Sequence, residues 1–302
     1  MAIQPPRLTV LTSPGWQDYE LLDSGRGQKL ERYGPYRFVR PEPEAVWRPA
    51  LNERAWTQVD AVFEPSAEEN GGHWKKLRTL PEHWIMAYKG MRFAARLSAS
   101  RHVGVFPEQA SQWDWIDAQV TQAKRPLKVL NLFGYTGIAS LAAARAGADV
   151  THVDASRKVI TWARENQTYS GLEAASLRWI MDDALKFVQR EVRRGAHYDG
   201  FILDPPKFGR GPKGEVWEFY KLIPNLLETC RTLFSASPAF LVLTAYAVKA
   251  SALTLHQALG EMTAGLGGQC EAGEVTLAET SGGRLLPLAI FARWSAVQTK
   301  EK

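Results

Sequence analysis

The seven residues Asn131-Leu132-Phe133-Gly134-Tyr135-Thr136-Gly137 constrain the fold of this chain most. They follow the apolar run Leu127 to Leu130 and lead into the alanine-rich stretch Ile138 to Ala146. Strand, glycine turn, helix is the expected order. Gly134 and Gly137 let backbone approach a ligand without Cβ interference, and the helix start behind them offers N–H groups to an anion or carboxylate. The segment reads as a pocket for a nucleotide-type ligand.

The next segment of the chain strengthens the case for such a pocket. After Gly147, expected just past the helix end, the run Asp149-Val150-Thr151-His152-Val153-Asp154 is a short strand ending in a carboxylate 17 residues beyond Gly137. A carboxylate there can accept both hydroxyls of an adenosyl ribose, as the acidic residue about 20 positions on does in dinucleotide folds. The pair Gly134-x-x-Gly137 lacks the G-x-G-x-x-G spacing that brings backbone against a pyrophosphate. S-adenosylmethionine has no phosphate, and its methionine carboxylate suits a looser glycine turn.

A chain of 302 residues, 45% hydrophobic and 23% charged, is long enough for one large or two modest soluble domains. No apolar run approaches the roughly 18 residues of a membrane span, and the N-terminus has no secretory pattern. Cys230 and Cys270 are too few for a disulfide framework or a structural zinc site. The expectation is a cytoplasmic protein with reduced thiols and no metal. The six histidines form no metal pair or nucleophile-His-acid set.

The net charge of +5 permits a polyanionic partner, and its distribution says more. From His73 to Arg101 there are seven basic residues (Lys75, Lys76, Arg78, Lys89, Arg92, Arg96, Arg101) against one acid, Glu82, with Trp74, Trp84, Tyr88 and Phe93 interleaved. Cations for phosphates and aromatic faces for unstacked bases suit single-stranded nucleic acid. The same alternation also describes a hairpin turning on Lys89-Gly90, aromatics inside and cations outside. Both readings stand at this level.

Residues 1 to about 105 carry turn punctuation (Ser24-Gly25, Gly27, Gly34-Pro35, Asn70-Gly71-Gly72) between alternating segments such as Lys29 to Tyr33 and Tyr36 to Arg40, so a small β-rich domain is expected there. Pro41, Pro43 and Pro49 disfavour a central strand between them. From 106 to 302 the rhythm becomes strand and helix in alternation. Trp113 and Trp115 begin the first helix. Strands are expected near 128–133, 149–154, 176–181, 199–204, 239–244, 270–278 and 286–294, with helices in the gaps except the last. Ser156 is the expected N-cap of the helix after Asp154, with Val159, Ile160 and Ala163 on its buried face. An antiparallel hairpin turning at Ser281-Gly282-Gly283 closes the chain. Five parallel strands plus that hairpin make an α/β, Rossmann-like, doubly wound sheet of the class I methyltransferase arrangement.

The run Phe201-Ile202-Leu203-Asp204-Pro205-Pro206-Lys207-Phe208 is a buried strand followed by a stiff loop. Open α/β sheets bind ligands at the carboxyl ends of strands, which places Asp204 in the crevice of Gly134 and Asp154. The two prolines fix φ and remove two donors, and each pushes the residue before it to extended geometry. The loop's exposed carbonyls and the Asp204 carboxylate are expected to accept from an amino group or ring N–H, with Phe208 stacked on the base.

Together LNLFGYTG, VDAS, MDDA, LDPPKF and the closing SGGRLLPLAIFARW resemble the bacterial S-adenosylmethionine-dependent methyltransferases related to the 23S rRNA cytosine carbon-5 enzymes, over roughly residues 90 to 295. The resemblance implies that Asn131, Phe133, Gly134, Tyr135, Thr136 and Gly137 line the methionine end. It puts Asp154, Ala155 and Ser156 at the ribose and Asp182, Asp183 and Ala184 at the adenine, with Asp183 accepting from the amino group. Gly104 to Gln109 resembles the family's lid, so Phe106 and Gln109 are expected to touch the cofactor. Two positions depart from the pattern. Carbon-5 methylation needs a thiolate that adds to the ring; in the related enzymes it ends the fifth strand, where this chain has Ala245. The N-terminal segment does not match the RNA-binding domain that often precedes the family.

The function expected from these readings is methyl transfer from S-adenosylmethionine to an RNA substrate, ribosomal RNA first, directly to a base nitrogen. Asp204 orients the acceptor and takes its proton, Pro205 and Pro206 form the wall, and Lys207 contacts phosphate. The alternatives are the same catalysis on a protein or small molecule, and a non-catalytic RNA-binding module with a retained cofactor fold. The sequence leaves the oligomeric state open.

Overall fold

The structure, a computed structural model, describes residues 6–13, 15–66 and 71–296. In chain order the elements are β1 (Leu8–Thr12), β2 (Tyr19–Gly25), β3 (Gln28–Tyr33), β4 (Tyr36–Pro41), α1 (Glu53–Thr57), β5 (Ala61–Pro65), β6 (Gly72–Lys76), β7 (Trp84–Tyr88), β8 (Met91–Ala95), a 3-10 turn (Pro107–Gln109) and α2 (Ala110–Gln122). They continue with β9 (Lys128–Leu132), α3 (Ile138–Arg145), β10 (Asp149–Asp154), α4 (Arg157–Tyr169), β11 (Leu177–Met181), α5 (Ala184–Arg193) and β12 (Gly200–Leu203). The last elements are β13 (Phe208–Arg210), β14 (Val216–Glu218), α6 (Phe219–Thr232), β15 (Phe240–Ala245), α7 (Ala252–Met262), β16 (Gln269–Ala278) and β17 (Leu285–Ser295). The chain divides into two compact units. The smaller holds residues 12–111 and 275–288; the larger holds 1–11, 112–274 and 289–302.

In the larger unit an eight-stranded sheet has the order β1-β16-β17-β15-β12-β9-β10-β11. The five strands β15-β12-β9-β10-β11 run parallel, and β17 pairs antiparallel with β15. All seven strands expected from the apolar pattern are present, as are the helices between them. Alternate residues feed opposite faces, as the two-residue period of a strand requires. Leu130, Leu132, Phe201, Leu203, Leu241 and Leu243 pack with Phe187, Leu226 and Leu255 of α5, α6 and α7. Val129, Val150, Ile202, Phe240 and Val242 pack with Ile116 of α2 and Ala143 of α3. The chain starts the parallel part of this sheet at β9, moves outward through β10 and β11, then crosses back to β12 on the other side of β9. That reversal between β9 and β12 is the topological switch point, outside whose carboxyl ends such sheets bind ligands.

In the smaller unit β2 to β6 form a five-stranded sheet in sequence order, and β7 and β8 pair as a hairpin. The hairpin turns on Lys89 and Gly90, at φ of 43° and 85°, the positive pair that a two-residue turn needs. Trp84, Tyr88 and Phe93 are buried, while Lys89 and Arg92 are exposed. The hairpin reading of this basic stretch is therefore the one observed, and those three rings are not available for base stacking. Trp74 is half-buried, its indole N–H donating to the Ser100 carbonyl at 3.0 Å. Asn70 of the expected Asn-Gly-Gly turn lies outside the described residues.

Two buried polar clusters hold the smaller unit. Glu31 is buried between Arg40 (2.7 Å), Tyr19 (2.8 Å) and Tyr33 (3.2 Å). Burial alone would raise its carboxyl, but the charges of Arg40 and Lys29 and the bonds from Arg40 and Tyr19 outweigh it and bring it down to about 2. The second cluster joins the tip of the last hairpin to β2. Asp23 accepts from Ala50 N, Leu51 N, the Trp56 indole, Ser281 Oγ and Arg284. Arg284 also pairs with Glu279 at 2.7 Å, and Glu279 accepts from Ser24. The SGGR run of the sequence is thus the clasp of this unit.

Replacing Asp23 by Ala leaves an indole, a hydroxyl and two backbone donors without their acceptor and removes one of the two carboxylates on Arg284, and is expected to cost about 3 to 5 kcal/mol in urea unfolding. A loss under about 1 kcal/mol would show the clasp to be dispensable. Glu31 sits below its unfolded value of 4.5, so the stability it contributes is complete above pH 4.5 and is lost as pH falls toward 2. Urea titrations across that window should show the fall, and Glu31→Gln should flatten it.

Candidate active site

The carboxyl ends of β9, β10, β11 and β12 bring together Phe133, Asp154, Asp182 and Asp204, the residues that follow or end those strands. The turn after β9 is tightly wound. Phe133 and Tyr135 take left-handed φ values of 58° and 50°, and Gly137 takes 85°. Two non-glycine residues in that region within three positions is uncommon. Gly134 N donates to the Val153 carbonyl at 3.1 Å and Gly137 N to the Gly134 carbonyl at 3.1 Å.

The glycines have a reason that the sequence did not reveal. A Cβ on Gly134 would fall onto the ring of His152 and within 3.0 Å of Asn131 Nδ2, and one on Gly137 would lie 2.9 Å from Trp179. Both make room for the protein's own side chains beneath the turn. His152 is fully buried on β10, its ring edge-on to Trp179 at 4.6 Å between centroids. Asn131 Nδ2 donates to Ser140 Oγ at 2.8 Å, and Ser140 Oγ lies 3.0 Å from His152 Nδ1. Burial pushes the imidazole down to about 3, offset only in part by a bond to the Tyr135 backbone. His152 is therefore neutral at any physiological pH. Thr136 is buried, its carbonyl accepting from Asn166 Nδ2 at 2.9 Å. Ser140, His152, Asn166 and Trp179 were not foreseen; the available signal was a polar side chain at each of two buried strand positions, Asn131 and His152.

Asp154 ends β10 and ties the turn to the next helix. Its carboxylate accepts from Tyr135 N at 3.0 Å and from Ser156 N at 2.9 Å. Burial raises its carboxyl above the usual range despite these bonds and one from Ala155 N. Ser156 caps α4 by accepting from Val159 N, as expected. On the next strand Asp182 donates its N–H to the Asp154 carbonyl at 3.0 Å and pairs with Arg190. Asp183 caps α5, accepting from Lys186 N at 2.9 Å, with Ala184 buried behind it.

After β12, Asp204 N donates to the Leu132 carbonyl at 3.4 Å. Pro205 is buried and Pro206 exposed. Two carbonyls of this loop face the protein rather than a substrate: Pro206 O accepts from the Trp217 indole at 2.7 Å and Lys207 O from Phe219 N at 3.0 Å. Trp217 packs on Phe133, centroids 4.8 Å apart. Lys207 and Phe208 are exposed. Phe106 and Gln109 belong to the smaller unit, at the start and end of the 3-10 turn, with Gln109 N donating to the Phe106 carbonyl at 3.0 Å.

Neither thiol is built for attack. Burial raises the Cys230 thiol far above its usual range and the Cys270 thiol to about 11, and Ala245 ends β15 as read from the sequence. No group of three or more metal-ligating side chains occurs among the described residues.

Residues 66–252 match the S-adenosylmethionine-dependent methyltransferase family. A solved S-adenosylmethionine-dependent methyltransferase from Agrobacterium tumefaciens is 48% identical, with 97% of each chain covered and a TM-score of 0.91. The chain belongs to the S-adenosylmethionine-dependent methyltransferase family. It is also similar to ribosomal RNA large subunit methyltransferase I of Aeromonas salmonicida, 30% identical over 43% of this chain. Ribosomal RNA large subunit methyltransferase K/L of Shewanella sp. (strain ANA-3) is 29% identical over 49% of it. The matched stretches span 32% and 20% of those two relatives. The cofactor of this methyltransferase is S-adenosylmethionine. The donor set of the crevice fits it: aligned carboxylates at strand ends beside a turn that leads into a helix N-terminus, with no phosphate-type glycine spacing.

The packing beneath the turn yields a coupling test in the methyltransferase. Gly134→Ala should lower the calorimetric affinity for S-adenosylmethionine, because the new methyl displaces the His152 ring or the turn above it. Adding His152→Ala should recover part of the loss, giving a coupling of about 1 to 3 kcal/mol. Additive losses would show that the ring does not set the shape of the turn.

Proposed function

We propose that this methyltransferase methylates RNA, ribosomal RNA in particular, by direct in-line transfer to a base nitrogen. The observation that carries the nitrogen assignment is the pairing of an Asp-Pro-Pro loop at the switch point with two thiols that burial keeps protonated. Carbon-5 chemistry requires a thiolate to add to the ring. A nitrogen acceptor needs positioning and a proton acceptor only. The RNA assignment is supported by the relatives named as ribosomal RNA methyltransferases.

When bound, S-adenosylmethionine supplies a methyl group already activated on a sulfonium. In this reading Asp154 accepts from the ribose hydroxyls, using lone pairs that its two backbone donors leave, since a carboxylate offers about four acceptor sites. Ala155 and Ser156 border the sugar, and Asp183, with Asp182 and Ala184 beside it, accepts from the adenine amino group. The turn residues Phe133, Gly134, Tyr135, Thr136 and Gly137 shape the methionine end above Asn131. Asp204 accepts a hydrogen bond from the acceptor nitrogen, aims its lone pair and takes its proton as the nitrogen–carbon bond forms and the sulfur–carbon bond breaks. Pro205 and Pro206 stiffen that wall, Phe208 stacks on the target base, and Lys207 contacts phosphate. Holding the nitrogen at near-attack distance supplies most of the acceleration.

Asp154→Ala should weaken S-adenosylmethionine binding by about 1.5 to 3 kcal/mol, roughly 10- to 150-fold; unchanged calorimetric affinity would refute the ribose assignment. Asp204→Asn should lower turnover far more than cofactor affinity, and equal losses would move Asp204 into cofactor binding. Incubation with radiolabelled donor and separate pools of RNA, DNA and protein tests the substrate class. RNA labelling with binding that weakens steeply in salt is expected, whereas protein labelling with a flat salt response favours the protein-substrate reading.

A further inference from the structure

We infer that the outer face of the ribbon β13–β14 is a docking strip for the single-stranded RNA that flanks the methylated nucleotide; the inference rests on the RNA reading above. The ribbon is inserted between the Asp-Pro-Pro loop and α6, in register Phe208↔Glu218, Gly209↔Trp217 and Arg210↔Val216. Its inner face belongs to the protein. Trp217 is buried, packed on Phe133 and bonded to the Pro206 carbonyl, and Gly209 opposite it carries no side chain.

By the alternation of a strand, Phe208, Arg210, Val216 and Glu218 occupy the other face. Val216 is 46% exposed and Phe208 54%, and Tyr220, two residues past β14, is 53% exposed. Large apolar side chains at this density in solvent, on an element nailed down beside a reaction centre, mark an interaction surface.

The charge on this face selects the partner. Both acids of the segment are already paired with lysines, Glu215 with Lys186 at 2.6 Å and Glu218 with Lys221 at 2.7 Å. The Lys186 bond leads the causes that hold the Glu215 carboxyl down at about 2. Arg210 and Lys213 are exposed and make no ion pair among the described residues. The tip that carries Lys213 is shaped by Gly211 N donating to the Glu215 carbonyl at 2.8 Å and Lys213 N to the Glu215 carboxylate at 2.8 Å. Exposed cations interleaved with rings and an apolar edge suit phosphates and unstacked bases. The base of the ribbon is closed by the Phe219 N to Lys207 O bond, so the strip stands at a fixed distance from Asp204.

The test uses the full chain, a fluorescein-labelled single-stranded RNA of mixed sequence, and anisotropy over a range of salt. The double variant Arg210→Ala/Lys213→Ala should reduce the slope of log affinity against log salt by about 1.4, about 0.7 for each phosphate contact on a single strand. Tyr220→Ala should weaken binding about 5- to 150-fold, and all variants should keep the wild-type melting temperature and S-adenosylmethionine affinity. If wild-type protein binds RNA with a steep salt slope and the variants match it, the strip is rejected while the RNA reading survives. If wild-type protein labels no RNA, the RNA reading itself fails. Loss of protein labelling in the variants would assign the strip to a protein partner and overturn the inference.

Discussion

The turn after β9 holds its shape because a neutral histidine ring fills the space beneath it. With His152 under Gly134 and Trp179 under Gly137, the backbone has no freedom to relax downward. Phe133 and Tyr135 are kept in left-handed conformations that a free chain would leave, at a cost on the order of 1 kcal/mol or more each. Two contacts above and beside the turn complete the restraint: the Asp154 carboxylate on Tyr135 N, and Trp217 against Phe133. Because Asp154 also accepts from Ser156 N at the start of α4, one carboxylate sets both the turn and the helix beside it. A ligand that meets this crevice meets groups already in place, and little ordering remains to oppose binding.

The sequence was most readable where local pattern decides the outcome. Runs such as Leu127 to Leu132 and Phe201 to Leu203 can be only buried strands, and Ser156 announces its helix. The acids at strand ends followed from those strands, so Asp154 and Asp182 emerge on neighbouring strands and Asp204 on the far side of β9, as the order β12-β9-β10-β11 requires. Less was readable where a residue's role depends on a partner from another strand. His152 is one of several polar residues in the run Asp149 to Asp154; its meaning appears only when Ser140, itself held by Asn131, reaches it. The ribbon escaped because strands of three residues in a segment rich in glycine and proline carry no periodicity. The carbonyls of Pro206 and Lys207, read as substrate acceptors, are taken by Trp217 and Phe219, residues of that unforeseen insertion.

Charge plays opposite parts in the two units. In the smaller, Glu31, Arg40, Lys29 and Glu42 are buried and mutually paired, an arrangement that specifies one packing more than it adds stability. In the larger, the acids of the site keep acceptor capacity at strand ends, while the cations of the inserted ribbon remain in solvent. The first kind of charge is invisible to a partner. The second is what a polyanion would encounter.

The clasp formed by Asp23, Glu279 and Arg284 has a consequence for biosynthesis. The smaller unit takes its first segment from residues 12–111 and its last strand tips from residues 275–288. During translation its buried Asp23 must wait for a guanidinium 261 residues downstream, which emerges after every strand of the Rossmann-like sheet except β17. The N-terminal sheet is therefore not a cassette that evolution or a cloning boundary can move as one contiguous block. Its completion reports that the downstream hairpin has already formed.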